Sequence, residues 1–289
     1  MSFISKLLSG KFIITAEISP PKGTDTIRML RDATLLKDIV DAVNVTDNQR
    51  AVMRMSPLAA CSILQGKGLE TIMHITCRDR NRLALESDLI GAYSLGIRNV
   101  LVMTGDHPSK GDHEGAKPVY DLDSVQLLGL IRKLDQGFDL CGNKLNARTD
   151  FCVGAVTNTI LNEMSLIKFR KKIKMGAIFF QTQAVFDVRG FSEFMEKTSE
   201  MRSKKVKIIA GIIPLKSEGS AHFLNRVPGI KVPDNMIKQM KEAKDPKVEG
   251  MKITAGLIRE LRTMCDGVHI MPIGNHENTK MLLEMAGLI

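Results

Sequence analysis

Several polar side chains interrupt or end short apolar runs, and their types set the chemistry within reach. Glu17 lies in FIITAEI and is followed by Ser19-Pro20-Pro21, while Thr46-Asp47-Asn48 close AVNVT. His74 and Thr76 lie in ETIMHITC, and Thr104-Gly105-Asp106-His107 follow NVLVM. Thr157-Asn158 end FCVGAVT, Gln181 and Gln183 lie in AIFFQTQ, and Asn275-His276 follow GVHIMPI. Strand ends meet water, which accounts for Asp47, Asn48, Asn275 and His276 without any chemistry. Glu17, His74 and Gln183 instead break apolar segments. A carboxyl drawn into such a segment must be partnered or have a raised pKa, the condition for a general acid near neutral pH. His74 fits a satisfied core histidine and a ligand contact equally well.

Other chemistries lack their signatures. No H-x-H or H-E-x-x-H occurs, so no metal site is indicated, and no G-x-S-x-G elbow points to a serine nucleophile. Cys77 follows His74 by three residues, which on a strand puts them on opposite faces and removes a Cys/His pair. Amides, hydroxyls and one or two carboxylates gathered in one place suit an organic cofactor with a heteroaromatic ring.

Such a gathering needs elements to position it. Strand-like runs begin at Phe12, Ala42, Glu70, Asn99, Phe151, Ala177, Lys207 and Gly267. Their near-continuous apolar character fits parallel strands covered on both faces. Helical patterns lie between them: Asp25–Leu36, Pro57–Gln65, Asn81–Leu95, Ser124–Lys133, Glu163–Lys174, Phe191–Arg202, Asp234–Lys244, Met251–Met264 and Glu277–Ala286. About eight strand–helix units in roughly 250 residues predict an α/β fold, a (β/α)8 barrel with its site at the strand C-termini. An open doubly wound sheet is the rival, weakened by the lack of a G-x-G-x-x-G turn. One domain, 1–289, is expected, with a long loop over His107–Lys117 and an insertion carrying an extra helical piece between Gly219 and Asp245.

The composition narrows the partners. The 289 residues carry a net charge of +9, yet the basic residues are dispersed and there is no Trp and only two Tyr, so a nucleic-acid surface is not expected. A small anionic ligand or an acidic carrier fits that charge as well. Five scattered cysteines without a C-x-x-C predict neither a disulfide framework nor structural zinc. No apolar run reaches the ~20 residues of a membrane span and MSFISKLLSGKF does not read as a signal peptide, so the cytoplasm is the expected compartment.

Taken in order, TAEISPPKG, NVTDNQ, HITCRDRN, VMTGDHP, KPVYDLDS, KFRKKIKMGA, QTQAVFDV and GIIPLKS resemble the methylenetetrahydrofolate reductase family along nearly the whole chain. The likeness is strongest to short reductases without a regulatory domain, as in acetogenic and other anaerobic prokaryotes. It implies a barrel binding FAD, with hydride passing from N5 to the methylene carbon of 5,10-methylenetetrahydrofolate to give 5-methyltetrahydrofolate. Glu17 matches the family's general acid, Asp106 the carboxylate beside flavin and folate, and Gln183 a pterin ligand. Thr46, His74, Gly105, Tyr120, Asp121 and Lys172 match FAD-contacting positions, with Lys172 assigned to the pyrophosphate.

The chain also departs from the family's pattern. The Thr157–Ser165 segment is short, Ser165 stands for a common Asp, Lys168 for Asn and Thr104 for Arg. Val156 or Thr157 replaces an aromatic. These positions leave FMN open beside FAD. The alternatives are a pterin-binding barrel for methyl transfer, and a subunit that draws electrons from a partner redox protein or carrier. NADH, NADPH and ferredoxin are all open as donors, as is assembly into a homo- or hetero-oligomer.

Overall fold

Runs of four to six largely apolar residues form strands that pair only with their sequence neighbours, which leaves closure as the way to lose both edges. In the computed structural model, which describes residues 1–272, 274 and 276–289, they do close. The strands are β1 (Ile13–Ile18), β2 (Ala42–Val45), β3 (Thr71–Thr76), β4 (Asn99–Met103), β5 (Cys152–Thr157), β6 (Phe179–Ala184), β7 (Lys207–Ile212) and β8 (Gly267–Ile270). All pair in parallel, and β8 returns to β1 with Thr15 opposite His269. The expected (β/α)8 barrel is the fold.

Helices α1 (Phe3–Leu8), α2 (Ile27–Leu36), α3 (Pro57–Gln65), α4 (Arg82–Ser94), α5 (Ser124–Asp135) and α6 (Glu163–Lys174) precede or link the first six strands. They are followed by α7 (Val188–Thr198), α8 (Glu218–Leu224), α9 (Asp234–Glu242), α10 (Pro246–Leu261) and α11 (Thr279–Met285). Capping moves two starts away from the apolar pattern. Helix α7 begins three residues before Phe191 because the Asp187 carboxylate caps Gly190 N, and α10 begins at Pro246 because Asp245 caps Lys247 N and Val248 N. The insertion carries α8 and α9, whose Leu224, Ile237 and Met240 form their own apolar cluster with Ile253 and Leu257 of α10.

Side chains alternate along each strand. One set, including Val43, Ile75, Val102 and Ile208, packs outward against the helices. The other set points into the barrel and is apolar at the strand N-termini. There Ile13, Ala42, Ile72, Leu101, Phe179 and Ile209 cluster with Phe3 and Leu7 of α1. The sequence pattern does not announce α1. A six-residue helix with lysines has little stability of its own and forms here because the barrel buries Phe3 and Leu7. Phe3 meets Phe179 edge-on at 5.4 Å, and Gly154 leaves the room that ring fills, since a Cβ there would overlap it.

Candidate active site

Two residues further along β1, β2, β3 and β6 the inward positions become polar, at Thr15, Asn44, His74 and Gln181, and from there a cavity of about 430 Å³ opens at the strand C-termini. That volume lies within the range of small-molecule sites. Glu17, Thr46, His74, Gly105, Asp106, Lys172 and Gln183 all line it.

Glu17 projects from β1. Burial pushes its carboxyl up to about 7, against the opposing hydrogen bond from Gln49 Nε2 at 2.9 Å. Gln49 is presented by a turn with left-handed backbone at Asn48, Arg50 and Ala51 (φ 43°, 58° and 58°), a conformation that non-glycine residues adopt only when their surroundings hold them. Arg54 N donates to Asn48 Oδ1 and Arg78 Nη2 to Asn48 O. His276 Nε2 donates to the Glu17 carbonyl at 2.7 Å, which ties the end of β1 to the segment after β8.

His276 and Asp47 do not meet water, contrary to the reading of them as solvated strand ends. His276 is buried, and Asp47 accepts from Thr76 N and Oγ1 at 2.9 Å and pairs with Arg80. Asn275 lies outside the described residues.

The β4 loop carries Asp106. Gly105 has φ +89°, and a Cβ there would stand 3.1 Å from Thr76 Cβ and 3.2 Å from Arg78 Cβ, so glycine is required on both counts. Arg78, fully buried, grips Asp79 with Nε and Nη2 at 2.8 and 2.7 Å and donates Nη1 to Asp106 O at 3.4 Å. It ties together the loops after β2, β3 and β4. The Asp106 carboxylate is left exposed, 3.8 Å from Lys110 Nζ.

On β6 the register to β7 slips by one residue between Gln181 and Ala184, and Gln183 follows that irregularity into the cavity mouth. Lys172 of α6 is buried and donates to Val156 O at 2.7 Å. Burial, then Lys168, brings its ammonium down to about 8. The Thr46 hydroxyl is buried without a protein partner among the described residues. Two positions lie outside the cavity lining. Tyr120 Oη donates to Gly105 O at 3.3 Å, and Asp121 accepts from Arg82 N and its guanidinium, which hold the carboxyl down at about 2. Ser165 lines the cavity but shares a capping box with Asn162 at the start of α6.

Sequence reasoning missed Gln49, Arg78 and His269. His269 breaks an apolar strand just as His74 does, and that signal was available. Gln49 and Arg78 sit in polar loops where nothing distinguishes them from their neighbours.

The chain matches the family model for methylenetetrahydrofolate reductase over residues 3–287. Methylenetetrahydrofolate reductase 2 of Schizosaccharomyces pombe is 22% identical over 307 residues, covering 100% of this chain and 47% of the yeast protein, so the chain spans about half that relative's length. 5,10-Methylenetetrahydrofolate reductase of Buchnera aphidicola subsp. Schizaphis graminum is 23% identical over 297 residues, covering 97% of this chain and 94% of that protein. Among solved structures, an uncharacterized protein from Clostridium thermocellum that binds two copies of 5-methyl-5,6,7,8-tetrahydrofolic acid shares the fold, with TM-score 0.66 at 16% identity and coverage of 98% and 96%. The chain belongs to the methylenetetrahydrofolate reductase family.

Proposed function

On that premise we propose that this barrel, acting as one domain, reduces 5,10-methylenetetrahydrofolate to 5-methyltetrahydrofolate with a bound flavin and with Glu17 as general acid. One observation carries the reading: Glu17, whose carboxyl burial pushes up to about 7, shares a single cavity with Asp106 and Gln183. FAD, when bound, supplies hydride from N5 to the methylene carbon. The residues present fit that group, because among the described residues the Thr46 hydroxyl lacks a protein partner and the Lys172 ammonium suits a pyrophosphate.

The chain's own residues do the rest. Glu17 holds the proton that the departing ring nitrogen of the substrate takes as the imidazolidine opens to its iminium ion. The Asp106 carboxylate places negative charge where that cation forms. The Gln183 amide offers both a donor and an acceptor to the pterin edge. Met103, Met271 and Val156 supply apolar wall that keeps water from the reacting carbon.

Electrons arrive from NADH, NADPH, ferredoxin or a partner redox subunit, and the charge of +9 suits any of these anionic or acidic donors. Among the described residues no helix is long and apolar enough to cross a membrane, and we place the reaction in the cytoplasm.

Purified protein titrated anaerobically with FAD or FMN is expected to turn yellow, bleach on reduction and recolour when methylenetetrahydrofolate is added. Protein that stays colourless and takes up neither flavin overturns the reading. Glu17→Gln should keep a reducible flavin and lose folate reduction by about 10²–10⁴-fold. In the wild type the rate should fall as pH rises past about 7, since a general acid must hold its proton.

A further inference from the structure

The floor of the cavity is built on five buried polar side chains from five strands: Thr15, Asn44, His74, Gln181 and His269. The Asn44 and Gln181 amides face each other, with Asn44 Nδ2 donating to Gln181 Oε1 at 2.7 Å and Gln181 Nε2 to Asn44 Oδ1 at 3.2 Å. Asn44 Nδ2 also stands 2.9 Å from His74 Nε2, and Gln181 Nε2 donates to Thr15 Oγ1 at 3.3 Å. Thr15 Oγ1 in turn stands 2.9 Å from His269 Nδ1.

The chain has a direction. An amide nitrogen only donates, so His74 Nε2 accepts. Thr15 accepts from Gln181, and among the described residues its one proton has no acceptor but His269 Nδ1. Burial holds both imidazoles down at about 3, so both are neutral. Each then carries its proton on the remaining nitrogen, His74 on Nδ1 and His269 on Nε2. Neither of these nitrogens has a protein partner among the described residues, and both rings line the cavity.

We propose that His74 and His269 are a coupled pair of N–H donors for the acceptor edge of the bound flavin ring, with Thr15, Asn44 and Gln181 as positioning residues that lock the donor tautomers. The proposal rests on the flavin reading above. Its new elements are His269 and the coupling. Turning one amide over obliges the other amide and Thr15 to reverse, so the cavity floor presents two donors or two acceptors and never one of each. Donors stabilise the negative charge that reduction brings to the ring, and therefore raise its reduction potential.

Ring-nitrogen NMR of ¹⁵N-histidine-labelled, flavin-free protein is expected to show His74 protonated on Nδ1 and His269 on Nε2, both neutral at pH 5. Thr15→Val, close to isosteric, should release the His269 tautomer while His74 stays fixed. With FAD added, Thr15→Val and His269→Phe should each raise the FAD Kd about tenfold and lower the potential of the bound flavin. The opposite tautomer at either ring overturns the proposal. So do an unchanged Kd and potential in His269→Phe when the wild type binds FAD, and that result leaves the functional reading standing. Wild-type protein that shows the locked tautomers and binds no flavin instead overturns the functional reading, and the ligand named here with it.

Discussion

Within the barrel, one strand period separates two unlike interiors. Ile13, Ala42, Ile72 and Phe179 form a dry plug with α1, while Thr15, Asn44, His74 and Gln181, each two residues on, form a hydrogen-bonded polar layer. The outer shell of Val, Ile and Leu against helices is common to both levels. The plug holds the barrel by excluded surface. The polar layer adds little net stability, because each of its hydrogen bonds replaces one to water. It is expected where the interior has to meet a ligand.

The largest effect should come from breaking the plug. Phe179→Ala removes a fully buried ring stacked edge-on against Phe3 and should cost about 3–5 kcal/mol in a denaturant melt. The folded fraction should keep its flavin affinity. A variant that melted normally but lost flavin would erase the distinction between the two levels.

Next comes the pH dependence of the upper level. The Glu17 carboxyl titrates at about 7 in the fold against 4.5 when unfolded. Because its folded pKa is raised, the stability linked to it is complete below pH 4.5 and is lost as pH rises through 7. The shift corresponds to up to roughly 3 kcal/mol. Glu17→Gln should therefore abolish that alkaline loss and exceed the wild type in stability at pH 8.5, measured by melts across pH. The histidines act on the acid side: with folded values of about 3 against 6.5, stability is present above 6.5 and lost as pH falls toward 3. The plug contains no residue that titrates in this range, so its variants should shift the whole profile without reshaping it.

The two levels were not equally legible in the sequence. Every strand could be placed from apolar runs, and Glu17 and His74 stood out because they break such runs. Thr15 and Asn44 did not, since a lone Thr or Asn in a strand is too common to signal anything. Their meaning comes from partners on β6 and β8 that only closure brings near. Helix α1 was hidden because its stability is tertiary. The cofactor role of Gly105 came from family resemblance, and the structure adds why a glycine stands there: positive φ beside two crowding side chains. Tyr120 and Asp121 came by the same route and stand behind the cavity, on Gly105 and Arg82.

Arg78→Lys tests the rim that joins three loops. Lysine keeps the charge but loses the bidentate grip on Asp79 and at least one of the carbonyl contacts to Asn48 and Asp106. A loss of about 1–3 kcal/mol is expected. The folate KM should rise, because the loops released carry Asp106 and the Gln49 that holds Glu17.

The smallest effect should be at the exposed end of that loop. Asp106 and Lys110 form an i,i+4 pair at 3.8 Å, with side chains 49% and 63% exposed. Water screens such a pair, and holding two flexible side chains together costs entropy, so Lys110→Met should change stability by less than about 0.5 kcal/mol. Its effect should appear in catalysis. Without a neighbouring ammonium, the Asp106 carboxylate presents more negative potential to a developing cation, and the rate of folate reduction should rise slightly at low salt and converge with the wild type at high salt. A stability loss comparable to Arg78→Lys would mean that the rim, like the plug, is held by its contacts. The division between a level that holds the barrel and a level that serves the ligand would then fail at the place where it should be clearest.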